Sequence, residues 1–230
     1  MATTTYNRPK QFSWSFSKLK NYQACPLKHF EVDVAKNFKE PESDILKWGN
    51  QVHAAMASRL VSKLPLPAAM QEYEPWAGRI ERTPGELMVE QKYALTELLQ
   101  PTEYFARDCW YRGIADVLIL LNNRTNALAI DWKLGKVLED SQQLALMALC
   151  VFSHYPDVQI VQTQYIWLKE DARTTENFRR AEVPKILANV MPRVKQLKMA
   201  YETSTFPAKP SGLCRNHCPV TTCTYNGVGN

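Results

Sequence analysis

No stretch of this sequence approaches the roughly 18 uninterrupted apolar residues that a membrane span requires, and its first residues, MATTTYNRPKQ, hold no apolar core of signal-peptide length. A membrane protein or an exported one is therefore not expected, and the reading is of a cytoplasmic protein. Also lacking is a phosphate-cradling G-x-x-x-x-G-K-[ST] loop, which argues against chemistry driven by ATP. There is no internal repeat and no low-complexity tract, which excludes solenoids and disordered arrays. Net charge is small as well: +5 permits a polyanionic partner through local patches but does not demand one.

What is present suits one folded domain. The 230 residues are 45% hydrophobic and 22% charged, enough to bury a sizeable core but short for two independent domains. In a reducing compartment the six cysteines are better read for metal than for disulfides. Three of them, Cys214, Cys218 and Cys223, cluster near the end, and their soft thiolates favour zinc or an iron-sulfur cluster over hard cations. Cys109 and Cys150 read as buried thiols on a strand and a helix.

The hydrophobic pattern changes period along the chain. Ser13 to Lys36 predicts two short helices, or one bent at Cys25-Pro26, with Ser15-Phe-Ser17 as the cap. Glu42 to Lys63 predicts a helix on the stripe Ile45, Trp48, Val52, Ala55, Met56 and Leu60, and this helix carries His53. Ala68 to Glu81 reads as another helix. Met88 to Leu99, Trp110 to Leu121 and Ala127 to Lys133 then read as strands, the last two joined by the turn composition Asn122-Asn-Arg-Thr-Asn126 into an antiparallel hairpin. Val137 to Phe152 is helical by composition. Gln159 to Leu168 is a strand that Thr174 to Val183 can pair with, and Pro184 to Tyr201 is a helix with a kink expected at Pro192. From Leu213 onward the chain is too polar and Cys-rich for a packed helix.

Asp116, in Gly113-Ile-Ala-Asp116, and Asp131, in Ala129-Ile-Asp131-Trp-Lys133, fall on the two strands of that hairpin. Carboxylates converging across a sheet suit Mg²⁺ or Mn²⁺, which prefer oxygen ligands. Lys133 lies two residues beyond Asp131 and so shares its face, where a fixed cation could orient an attacking water or neutralise charge on a phosphate. The plain alternative is that both aspartates bridge turns and that His53 is a satisfied core histidine. Gly49, four residues before His53, allows close approach of another element and favours the ligand reading.

Taken in order, Ser15-Phe-Ser17-Lys-Leu19 with Tyr22 and Cys25-Pro26, Gly49-Asn-Gln-Val52-His53, Gly113-Ile-Ala-Asp116, Ile130-Asp131-Trp-Lys133-Leu-Gly135, Gln143 and the Cys-rich tail resemble the PD-(D/E)xK nuclease superfamily. Within it they resemble the RecB-like branch, which includes CRISPR-associated and phage exonucleases. The resemblance implies an α/β, restriction-endonuclease-like core with a central mixed sheet flanked by helices. One nuclease domain would span residues 1–230: a helical part (1–85), the catalytic core (86–183) and a C-terminal helix with a cluster-binding tail (184–230).

The resemblance also implies roles. His53, Asp116, Asp131 and the Trp132 backbone carbonyl would hold Mg²⁺ or Mn²⁺. Lys133 would be the catalytic lysine, Glu90 an outer-shell or second-metal group, and Gln143 a positioning residue. Cys25 would join Cys214, Cys218 and Cys223 around a four-iron four-sulfur cluster, with zinc, or His217 in place of one thiolate, as the alternative. The implied activity is metal-dependent hydrolysis of DNA, as single strands or at ends, in recombination, repair or processing in a bacterial or phage-infected cell. A DNA-binding or assembly module of the same fold is the rival reading, and protein partners or a homo-oligomer are left open. Trp132, Leu134 and Met147 depart from the family's usual residues and bear on DNA contact. For that contact Lys18, Lys20, Lys28, Arg112 and Lys136 are candidates for phosphates, and Trp14, Phe16 and Tyr22 for unpaired bases.

Overall fold

The computed structural model describes residues 12–137 and 141–227. Its elements are β1 (Trp14–Ser15), α1 (Phe16–Ala24), α2 (Pro26–His29) continuing into a π-turn (Phe30–Val34), α3 (Asp44–Ser62), a 3₁₀ segment (Ala68–Tyr73), α4 (Glu74–Glu81), β2 (Glu86–Leu95), β3 (Tyr111–Leu121), β4 (Asn126–Lys133), α5 (Gln142–His154), β5 (Ile160–Trp167), β6 (Ala172–Arg179), α6 (Val183–Thr203) and α7 (Cys214–His217). The mixed sheet runs β1-β3-β4-β5-β6, with β2 also paired to β3. β4 and β5 are parallel because α5 crosses between them, whereas the β2–β3, β3–β4 and β5–β6 pairs are antiparallel. This is the expected α/β class.

Alternation along β4 sorts its side chains between two cores. Ala127 and Ala129 pack with α5 and α6, while Ile130 and Trp132 pack with α3, the 3₁₀ segment and α4. Helix α5 supplies the larger core, with Leu144 and every residue from Leu146 to Phe152 buried. Its C-terminal end is held by Arg180, whose guanidinium donates to the carbonyls of Phe152 in the last turn and of Tyr155 and Val158 in the segment that follows.

Local expectations hold where the chemistry is local. Ser15 Oγ accepts from the Lys18 amide at 3.3 Å, capping α1. The β3–β4 turn uses three consecutive left-handed residues, Asn122, Asn123 and Arg124. Helix α6 continues through Pro192. Ala68 to Glu81 is two pieces instead of one helix: the α-helix starts only at Glu74, where Pro75 in the first turn needs no hydrogen-bond partner. The helix expected from Val137 begins at Gln142, and Leu138–Asp140 lie outside the described residues. Ile45, counted in the apolar stripe of α3, is 80% exposed; Val52, Met56 and Leu60 are the residues buried there.

The segment after α1 packs against α6 and the chain that follows it. Buried His29 bonds Asp33 through Nδ1 at 2.8 Å and Tyr201 of α6 through Nε2 at 2.9 Å, and the Leu27 amide donates to the Pro207 carbonyl. Hydrogen bonding to His29 holds the Asp33 carboxyl below its usual range.

Candidate active site in the fork between β3 and β4

The β3–β4 ladder ends at Val117↔Ile130, one pair short of Asp116 and Asp131. Beyond it β4 continues beside β5 alone, so the two strands part and leave a fork. Across the other edge of β3, the pairing with β2 skips the position where Glu90 would face Asp116. Glu90 has φ 53, a left-handed conformation that is costly for a residue with a Cβ. The alternation of β3 slips at the same point. Ala115 shares a cluster with Leu118 and Leu120, an odd spacing that a regular strand does not give.

This break replaces a ladder bond with a side chain. The Trp132 amide donates to Asp116 Oδ2 at 2.7 Å, so the carboxylate both satisfies β4 and is fixed in the fork. Its Oδ1 lies 3.1 Å from His53 Nδ1, delivered by α3 from the opposite core. Ligand atoms of His53, Glu90 and Asp116 lie within 4.8 Å of one another, the one such group of three or more His, Cys, Asp or Glu among the described residues.

Asp131 and Lys133 share a face of β4, and Gln143 in the first turn of α5 closes a triangle with them. Gln143 Nε2 donates to Asp131 Oδ1 at 2.7 Å, Lys133 Nζ donates to Gln143 Oε1 at 3.0 Å, and Lys133 Nζ sits 2.6 Å from Asp131 Oδ2. Both aspartates are buried. Burial pushes the Asp131 carboxyl up to about 6 against the pull of Lys133, with the Asp116 charge adding to the rise. Burial and the same neighbour raise Glu90, and the bond to Asp116 raises the His53 imidazole. The groove therefore gathers three carboxyl groups and one imidazole, with Asp116 and Asp131 buried and Glu90 exposed.

A groove of about 850 Å³ contains all of these residues: His53, Glu90, Asp116, Asp131, Trp132, Lys133 and Gln143. The family resemblance implies a supporting place for Glu90 and a primary one for Asp131. In the structure Glu90 stands with His53 and Asp116, while both oxygens of Asp131 are engaged by Lys133 and Gln143. Gly49 lines the groove, but a Cβ there would meet only Leu134 Cδ1 at an ordinary 3.8 Å, so packing does not require the glycine.

Among the proposed phosphate contacts, Arg112 lines the groove, whereas Lys28 sits by the cysteine cavity, 2.8 Å from Glu40. Trp14 is buried against Trp110, Tyr22 packs against the core, and Phe16 lines the groove. Tyr104, which the sequence reading missed, also lines the groove; it comes from a loop, where hydrophobic period carries no signal.

Outside the groove, Cys25, Cys214, Cys218 and Cys223 line one small cavity, all with free thiols. The Lys209 amide donates to Cys25 Sγ at 3.4 Å and the Ser211 amide to Cys214 Sγ at 3.2 Å. Cys109 and Cys150 are buried elsewhere, Cys150 on α5 as expected and Cys109 in the loop before β3 instead of on a strand.

The model of the PD-(D/E)XK nuclease superfamily matches residues 13–223, and the chain belongs to that superfamily. Its members use divalent metals, and the fold implies a nucleic-acid substrate. Among solved structures, a crystal structure from Eubacterium rectale named "Putative exonuclease" is 12% identical and superposes with a TM-score of 0.53 over 93% of this chain and 91% of that one. At that identity it shows a shared fold. A second, of SSO0001, is 10% identical over 94% of this chain and 88% of that one, with a TM-score of 0.42, and carries no argument. No curated protein matches the chain. Among the described residues no helix is long and apolar enough to cross a membrane.

Proposed function

We propose that this protein is a Mg²⁺- or Mn²⁺-dependent deoxyribonuclease of the RecB-like branch, acting as an exonuclease on single strands or DNA ends in recombination, repair or processing. The observation that carries the reading is the convergence of His53, Glu90 and Asp116 ligand atoms within 4.8 Å, beside the Asp131–Lys133–Gln143 triangle. Two carboxylates and an imidazole at that spacing fit one hard divalent cation, and the buried charge of Asp131 adjoins it. Such an ion supplies Lewis-acid charge to a phosphate and lowers the pKa of a water.

The chain's own groups do the rest. Asp116, fixed by the Trp132 amide, holds its place without cost at each turnover. Lys133 directs positive charge to the phosphate and is held on station by Gln143. The Trp132 carbonyl is retained as a further ligand candidate.

The cysteine cavity supports a four-iron four-sulfur cluster on Cys25, Cys214, Cys218 and Cys223, stapling the N-terminal part to the tail in a single domain. Backbone amides that donate to the Cys25 and Cys214 sulfurs favour thiolates there, and zinc on the same four thiolates is the alternative. Cytoplasmic location, in a bacterium or a phage-infected cell, belongs to the same reading.

The test is digestion of end-labelled single- and double-stranded DNA with Mg²⁺, Mn²⁺ or EDTA, by the wild type and Asp131→Ala. Shortening from an end that needs the metal and is lost in the variant is expected. Equal digestion by both proteins removes Asp131 from the chemistry.

A further inference from the structure

The loop from Thr96 to Trp110, between β2 and β3, carries two adjacent aromatics, a half-buried Tyr104 and an exposed Phe105. Phe105 is 84% exposed, a large apolar ring with no core to fill. The loop that presents it is well tied: Thr102 Oγ1 donates to Asp108 Oδ1 at 2.7 Å, the Thr102 amide to the Ala94 carbonyl, and the Ala106 amide to the Glu103 carbonyl. Tyr104 meets Phe105 edge to face, with ring centroids 5.1 Å apart.

Two cations attend this pair. The Arg112 guanidinium lies 5.6 Å from the Tyr104 centroid and 5.8 Å from that of Phe105, and Lys92 Nζ lies 5.8 Å from Tyr104. Arg112 is anchored by donating to the Tyr104 carbonyl and to Ser13 Oγ. Among the described residues neither Lys92 nor Arg112 forms an ion pair with a carboxylate of the chain, so both charges are available to an anion. Tyr104 and Arg112 line the same groove as Asp116 and Lys133. Arg112 precedes Asp116 by four residues on β3, about 13 Å at strand rise, a distance that a stacked strand covers in about four nucleotides.

We propose that Tyr104 and Phe105, backed by Arg112 and Lys92, form a stacking platform for unpaired bases that selects single-stranded nucleic acid for this groove. An exposed aromatic face beside unneutralised cations matches a strand that offers both bases and phosphates. A duplex keeps its bases stacked inside and presents phosphates and groove edges, which an aromatic face does not read. The platform deepens the nuclease reading and rests on it for the groove's use, but its binding step needs no catalysis.

The experiment is fluorescence anisotropy of the full-length protein with a labelled single-stranded oligonucleotide and with a blunt duplex, in EDTA so that nothing is cut. Wild type, Phe105→Ala and Phe105→Tyr are compared, and an oligonucleotide carrying 2-aminopurine reports stacking by quenching. Stacking on one aromatic is worth about a tenfold change in affinity. Phe105→Ala is expected to weaken the single strand about tenfold or more, to change the duplex less than twofold and to lose the quenching, and Phe105→Tyr to restore the single-strand affinity and the quenching. An unchanged ratio of single-strand to duplex affinity in Phe105→Ala, or wild type that binds no single strand, overturns the platform. Failure of the wild type to cut DNA with Mn²⁺ would instead overturn the nuclease reading and leave these binding results standing.

Discussion

Gln143 is the residue whose contacts say most about its task. It donates to one oxygen of Asp131 and accepts from Lys133, so it fixes the orientation of both without adding charge. Losing an outer partner of this kind typically costs about 10- to 100-fold in activity or metal affinity. Gln143→Ala should show that loss in DNA cleavage, and Gln143→Glu should not repair it, because the Asp131 carboxylate would then face a second anion. Glu90 makes the opposite kind of prediction. Its left-handed backbone stores strain of about 1–2 kcal/mol, of which a glycine would recover most, less about 0.5–1 kcal/mol of extra unfolded-state entropy. Glu90→Gly should therefore keep the wild-type melting temperature within a few degrees while cleavage falls. A large drop in thermal stability would mean that the residue is kept for folding.

Much of the site was legible at this scale because its residues are chemically conspicuous. Asp-x-Lys on a strand and a histidine on an amphipathic helix can be seen in one dimension. The positive φ of Glu90 and the engagement of Asp131 by Gln143 cannot, since both depend on where the ladder stops.

At the scale of elements, the fork arises because β4 changes partners. From Asn126 to Ile130 it is paired on both sides, and from Asp131 to Lys133 by β5 alone. Period-2 patterning predicted the strands and the Asn-rich turn predicted their hairpin. The parallel neighbour β5 follows from the α5 crossover, which leaves no mark on the hydrophobic period, and the two-residue β1 is too short to have one.

The contact between the π-turn after α2 and α6 yields a pH prediction. Asp33 is held below its ordinary pKa mainly by its bond to His29, so the folded state binds that proton more weakly than the unfolded chain. The stabilisation is complete above the unfolded aspartate value of about 3.9 and is lost as pH falls through the lower folded value. Asp33→Asn should cost about 1 kcal/mol in urea unfolding at neutral pH, with a gap to wild type that narrows below about pH 3.9. A gap independent of pH would assign the effect to packing.

For the whole molecule, the cysteine cavity joins residues near both ends of the chain. A clip from Cys25 to the tail closes nearly the full length and can restrict the unfolded state by up to about 5 kcal/mol. Protein purified without oxygen should be brown, and Cys25→Ser should lose both the visible absorption and a substantial part of thermal stability. A colourless wild type carrying stoichiometric zinc would replace the cluster with a zinc staple.

The two proposed metal sites differ chemically, hard oxygen ligands in the fork and soft thiols at the seam, so one ion should not compete for both. The proposed metal chemistry rests on the fork. Manganese binding to the full-length protein, followed by electron paramagnetic resonance, tests it directly in wild type and Asp116→Asn. Saturable Mn²⁺ binding by the wild type that weakens at least tenfold in the variant is the predicted result, and equal binding by the two proteins would contradict it.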